Sequence, residues 1–124
     1  MVSTASLLRY ALIALTSALA TPAALAHAHL TTQSPEADAQ IIASPQALTL
    51  NFSEGVEPAF SGATLTGPKQ TQIKTGKPTR NEQDKTQLII PLAQSLDTGK
   101  YTVDWHVVSV DGHKTKGQYT FSVK

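Results

Sequence analysis

Among the chain's four histidines, His27 and His29 stand two residues apart, and His113 stands two residues beyond Asp111. In an extended segment, side chains two apart leave from one face, so each pair can present two donors to one atom. His27 is set apart by what precedes it. Residues 1–26 carry a positive charge at Arg9, an apolar run over 11–20 (ALIALTSALA), a segment containing Pro22, and the small-residue pattern Ala24-Leu25-Ala26. That is the order of a secretory signal peptide and its cleavage site. The apolar run is shorter than the roughly 20 residues a spanning helix needs. Cleavage after Ala26 makes His27 the first residue of the processed chain, where its free α-amine and imidazole can chelate a metal through two nitrogens. An internal histidine has no such amine.

Adding the His113 imidazole and the Asp111 carboxylate to His27 gives a set of three nitrogens and one oxygen. Nitrogen and oxygen donors in a tetragonal arrangement suit Cu(II), which also binds most tightly in the divalent series. Zinc accepts the same donors. Taken alone, Asp111-Gly112-His113 reads first as a turn, and His106 as a surface residue, since it alternates with Trp105 in a strand. A histidine at the cleavage junction needs more explanation, because processed N-termini are ordinarily frayed. His29 opens a second arrangement. A free amine followed by a histidine at the third position can wrap Cu(II) with its own backbone amides and make a local four-nitrogen chelate. A sandwich that fixes the N-terminal strand favours the folded site, leaving His29 on the surface or orienting a ligand.

The elements that must position these residues are strands. Leu48, Leu50 and Phe52 alternate with polar residues, as do Leu88, Ile90 and Leu92. Tyr101, Val103, Trp105 and Val107 make the longest such row, and Tyr119, Phe121 and Val123 close the chain. Period-two alternation of this kind marks half-buried strands. Ala63 and Leu65 predict a weaker strand, and Ile73 a short edge strand. Turn signals at Ser34-Pro35, Ser44-Pro45, Glu57-Pro58, Gly67-Pro68, Asp97-Thr98-Gly99 and Asp111-Gly112 separate the runs. A helical turn is expected only over 38–44. The polar stretch 69–85 (KQTQIKTGKPTRNEQDK) is expected as a mobile loop around one edge strand. The whole predicts an all-β single domain of about seven strands, two sheets packed face to face.

Composition narrows the partners. The chain has 124 residues, with ten Lys plus Arg against nine Asp plus Glu. Arg9 leaves with the signal, so residues 27–124 are formally neutral. Nucleic acid and anionic membrane surfaces select clustered positive charge and are not expected partners. There is no cysteine, hence no disulfide, thiolate site or lipid-modified cysteine. No second apolar segment follows, so the processed chain is expected to be soluble, without membrane insertion, and monomeric. About one hundred residues suffice for one small domain with a modest core.

Five stretches resemble the CopC family of periplasmic copper-binding proteins: HAHL at 27–30 followed by Ser34-Pro35, LNFSE at 50–54, FSGATL at 60–65, and LDTGKYTVDWHVVSVDGHKTKGQYTFSVK over 96–124. The last is the most specific, with its aromatic strand, Asp-x-His and returning Gly-x-Tyr-x-Phe strand in family order. The resemblance covers all of 27–124. It implies a Greek-key β-sandwich, cupredoxin- or immunoglobulin-like, holding one Cu(II) per chain at one end. The implied ligands are His27 (amine and imidazole), Asp111 and His113, with Glu54 as a residue that orients a ligand. It also implies a periplasmic carrier or buffer serving copper tolerance, or delivery to a membrane copper importer. Several relatives hold Cu(I) in a methionine-rich loop, but the matching stretch 66–77 has no methionine, and the chain's one methionine is Met1. A thioether Cu(I) site is therefore not expected. A second departure is Lys114, where many relatives have proline after the histidine.

Two other functions compete. A terminal histidine with a second imidazole is also the core of oxidative copper monooxygenases. Against an enzyme stand an anionic Asp111, which favours Cu(II) over redox cycling, and the lack of an evident substrate surface. A metal-free adhesion sandwich has no positive feature in the sequence.

Overall fold

The computed structural model describes residues 27–124; the expected signal peptide, 1–26, lies outside the described residues. Among the described residues, nine strands form two sheets: β1 (Leu30–Ser34), β2 (Gln40–Ile41), β3 (Ala47–Phe52), β4 (Gly62–Thr66), β5 (Gln72–Ile73), β6 (Thr79–Asn81), β7 (Asp84–Pro91), β8 (Gly99–Val108) and β9 (Lys114–Val123). One sheet runs β1-β3-β7-β6 and the other β2-β9-β8-β4-β5. The expected β-sandwich is what the chain forms, with more strands than the seven expected. The extra ones are short pieces at sheet edges.

Alternation explains the long strands. In β3, Leu48, Leu50 and Phe52 point inward; in β8, Tyr101, Val103, Trp105 and Val107 do; in β9, Tyr119, Phe121 and Val123 do. Leu88 and Ile90 of β7 complete the facing layer, and each of these residues is buried. Inner faces that interdigitate between two sheets make one core. Phe52 and Trp105 meet edge to face across it, with ring centroids 5.3 Å apart. Gly117 lies opposite Trp105 in the β8–β9 register, and a Cβ there would overlap the indole. The glycine is what lets that large ring lie flat on its own sheet.

Two segments differ from expectation. Over 38–44 there is a turn and then β2, which pairs parallel with the end of β9. Asp38 has a positive φ of 63° and donates its N–H to Thr120 O at 2.7 Å, so tertiary pairing overrides the local helical preference. The stretch 69–85 is more ordered than a loop. It contains a 3-10 turn (Pro68–Gln70), β5, β6 and the start of β7. The Arg80 guanidinium donates to Val56 O at 3.1 Å, tying β6 to the loop that follows β3.

The strand ends matter most for the site. β1 pairs antiparallel with β3, so the residues ahead of Leu30 lie beside Phe52 and Ser53. β8 and β9 form a hairpin whose last pair is Val108 with Lys114. Residues 27–29 and 109–113 therefore meet at one end of the sandwich, brought there by different sheets.

Candidate functional site

The 109–113 loop is built around Ser109, which is buried although it carries a hydroxyl. Ser109 N–H donates to His113 O at 2.9 Å, closing the hairpin, and Gly112 N–H donates to Ser109 O at 2.9 Å. Gly112 has φ +89° with nothing around it, the conformation glycine adopts at no steric cost. The Ser109 hydroxyl donates to Asp111 Oδ1 and accepts the His113 N–H at 3.2 Å. Oδ2 of the same carboxylate lies 3.0 Å from His113 Nδ1. The Asp-x-His spacing has two structural consequences. It is a turn, and it places a carboxylate on an imidazole.

His27 arrives from the other sheet. Its ring meets that of His113 edge to face, with centroids 4.5 Å apart. Ala28 holds it there: this residue is fully buried in the core, and its carbonyl accepts the Thr115 hydroxyl at 2.7 Å. A segment that would otherwise fray is pinned one residue from its proposed end. His29 points elsewhere. Its N–H donates to Ser53 Oγ at 3.0 Å, its carbonyl accepts Ser53 N–H at 2.9 Å, and its Nδ1 lies 3.1 Å from the same hydroxyl.

Of the residues expected from sequence, His27, Asp111 and His113 come together pairwise, His27 with His113 and His113 with Asp111. Among the described residues, no three His, Asp or Glu side chains already form a metal-holding group. The expected set has three such side chains besides the main-chain amine, and in this arrangement they touch only in pairs. Glu54 makes no side-chain hydrogen bond or ion pair among the described residues; its neighbour Ser53 is the residue of that block that touches the N-terminal segment. Ser53, Ser109 and Thr115 are the residues that sequence reasoning missed. His106 lies on the outer face of β8 opposite Lys116. It lines an open depression of about 820 Å³ with Phe60, Val108, Lys114 and others, and none of His27, Asp111 or His113 borders it.

Hydrogen bonding sets the charge of the site. The Asp111 carboxyl is held down to about 2, first by the Ser109 hydroxyl and then by the His113 ring. Its ionised form is favoured by folding. It therefore contributes stability that is full above the ordinary value of 3.8 and lost as pH falls through about 2. Ser109→Ala should move the Asp111 titration up toward 3.8. Carboxyl-carbon NMR of the metal-free protein reads this directly, and a midpoint that stays near 2 would show that the hydroxyl is not its cause.

Comparisons with known proteins bear on the family and the fold. The family model described as "CopC domain" matches residues 30–124. The chain is 69% identical over 124 residues to Protein YobA of Escherichia coli strain K12, covering 100% of both chains. It is 40% identical over 108 residues to Copper resistance protein C of Escherichia coli, covering 82% of this chain and 84% of that one. Among solved structures it is similar to PcoC, a methionine-rich copper resistance protein from Escherichia coli, with a TM-score of 0.70 and 38% identity over 80% of this chain and 100% of that one.

Proposed function

The chain belongs to the CopC family, and from that premise we propose that it is an exported, non-catalytic Cu(II) carrier or buffer. It takes one Cu(II) per chain on the His27 amine and imidazole, the His113 imidazole and the Asp111 carboxylate. Its place is the periplasm, and its role is copper tolerance or delivery to a membrane copper importer. Among the described residues, no helix is long and apolar enough to cross a membrane.

The observation that carries the reading is the meeting of His27, His113 and Asp111 from two sheets at one end of the sandwich. Two of their pairwise spacings fit a shared metal. Donors bound at about 2.0–2.1 Å and at right angles to each other stand about 2.9 Å apart, close to the 3.0 Å between His113 Nδ1 and Asp111 Oδ2. Two imidazoles sharing a metal at a right angle have ring centres roughly 4–5 Å apart, and the His27 and His113 centroids lie at 4.5 Å. Bound copper would supply a Lewis-acid centre. The chain's residues hold it, and Asp111, ionised far below neutral pH, keeps negative charge beside it. That charge favours Cu(II) over Cu(I) and opposes the redox cycling an oxidative enzyme needs. Hard nitrogen and oxygen donors without thioether sulfur point the same way.

Titration of the processed protein with Cu(II), after mass spectrometry confirms that it begins at His27, should give one tight equivalent. Competition against a Cu(I) chelator should give no high-affinity Cu(I) site. Absence of tight Cu(II) binding, or a stronger hold on Cu(I), would overturn the reading.

A further inference from the structure

Residues 27–29 hold a second possible copper site, which the folded arrangement leaves unused. A processed chain beginning His27-Ala28-His29 can surround Cu(II) with its own amine, the amide nitrogens of Ala28 and His29, and His29 Nδ1. Each of these except the amine is already engaged or enclosed. The His29 N–H is donated to Ser53 Oγ at 3.0 Å, and His29 Nδ1 lies 3.1 Å from the same oxygen. Ser53 Oγ also lies 3.4 Å from the His27 carbonyl. Ser53 N–H donates to the His29 carbonyl, so one residue grips the segment at both main-chain groups of His29. On the other side Ala28 is fully buried, and its carbonyl is held by Thr115.

We propose that residues 27–29 form a latent four-nitrogen Cu(II) site, and that Ser53 is the residue keeping it closed. Ser53 thereby determines which donor set the metal takes. The inference rests on the proposed function above, in which His27 is the first residue and the folded site holds Cu(II). Forming the latent chelate is a ligand exchange. Copper keeps its bond to the His27 amine and gives up those to the His27 imidazole, His113 and Asp111. It bonds His29 Nδ1 and the amide nitrogens of Ala28 and His29, each amide losing a proton to solvent, and it remains Cu(II). Nothing is oxidised or reduced. The exchange requires the His29 N–H to leave Ser53 and Ala28 to leave the core, so the clamp opposes it directly.

The test uses the full processed chain with one equivalent of Cu(II), read by electron paramagnetic resonance and visible absorption. Two deprotonated amides give a stronger ligand field than a carboxylate, so the latent chelate shows a d–d band at shorter wavelength and coupling to four nitrogens. Losing one hydrogen bond shifts such an equilibrium by about fivefold. Ser53→Ala should therefore raise the four-nitrogen share about fivefold over the parent protein. Ser53→Thr, which keeps the hydroxyl, should restore the parent spectrum, and the Ser53→Ala/His29→Ala double variant should lose the new component. Circular dichroism and Trp105 fluorescence check that the sandwich persists. Should Ser53→Ala unfold it, Thr115→Val carries the same test by freeing Ala28 from the other side. A Ser53→Ala or Thr115→Val protein that is folded and keeps the parent spectrum overturns the clamp. A parent protein that already shows the four-nitrogen spectrum overturns the folded site itself, and with it the proposed function.

Discussion

Adding one residue ahead of His27 should weaken Cu(II) binding by more than about 100-fold, beyond the loss caused by removing a partner that merely orients a ligand. Extension turns the α-amine into an amide, which removes one donor and breaks the chelate ring joining amine and imidazole on the same residue. The sandwich itself has little reason to change. Ala28 keeps its burial and its hydrogen bond to Thr115, and β1 begins only at Leu30. The loss therefore belongs to the site rather than to stability. Competition with a chelator of known affinity measures it, and electron paramagnetic resonance should show one nitrogen fewer. Unchanged affinity and spectrum would remove the terminal amine from the ligand set. The experiment also makes processing part of function, since a chain still carrying residues 1–26 lacks this donor.

The long strands of this fold are legible because their alternation is enforced by burial. Leu48, Leu50 and Phe52, or Tyr101, Val103, Trp105 and Val107, face a core on one side and solvent or polar neighbours on the other. β2 and β6 are illegible for the opposite reason. Gln40–Ile41 and Thr79–Asn81 bury little, and they are strands because β9 and β7 offer them backbone partners. Nothing in their own residues signals that pairing.

The site divides in the same way. His27, Asp111 and His113 stand out because imidazoles, carboxylates and a terminal amine are the groups that hold metals, and their spacings carry meaning. Glu54 enters only through the resemblance to the family, and the contact with the N-terminal segment belongs instead to its neighbour Ser53. Serine hydroxyls are common on surfaces and bond whatever backbone comes within reach, so the roles of Ser53 and Ser109 exist only once the fold brings their partners near. The His29 ambiguity also needed the structure. Both proposed copper arrangements start from HAHL, and the clamp proposed to choose between them is a hydrogen bond from His29 to Ser53, far along the chain.

His113→Ala should lower Cu(II) affinity by more than about 100-fold and replace the parent electron paramagnetic resonance spectrum. The argument runs through the two contacts His113 makes. Its ring packs against His27 at 4.5 Å and faces the Asp111 carboxylate at 3.0 Å, so it joins the donors of one sheet to those of the other. Removing it takes away one nitrogen and also separates the remaining donors into two half-sites. The backbone should stay in place, because the loop is closed by main-chain bonds from Ser109 and Gly112 and by the His113 N–H, which the variant retains. Asp111→Asn gives the comparison. It keeps the shape of the loop and removes the negative charge, so it should weaken Cu(II) binding less than His113→Ala while easing reduction of the bound metal. A His113→Ala protein with the parent spectrum would mean that copper never reaches the far sheet. The metal would then sit entirely on the first three residues, with Ser53 displaced.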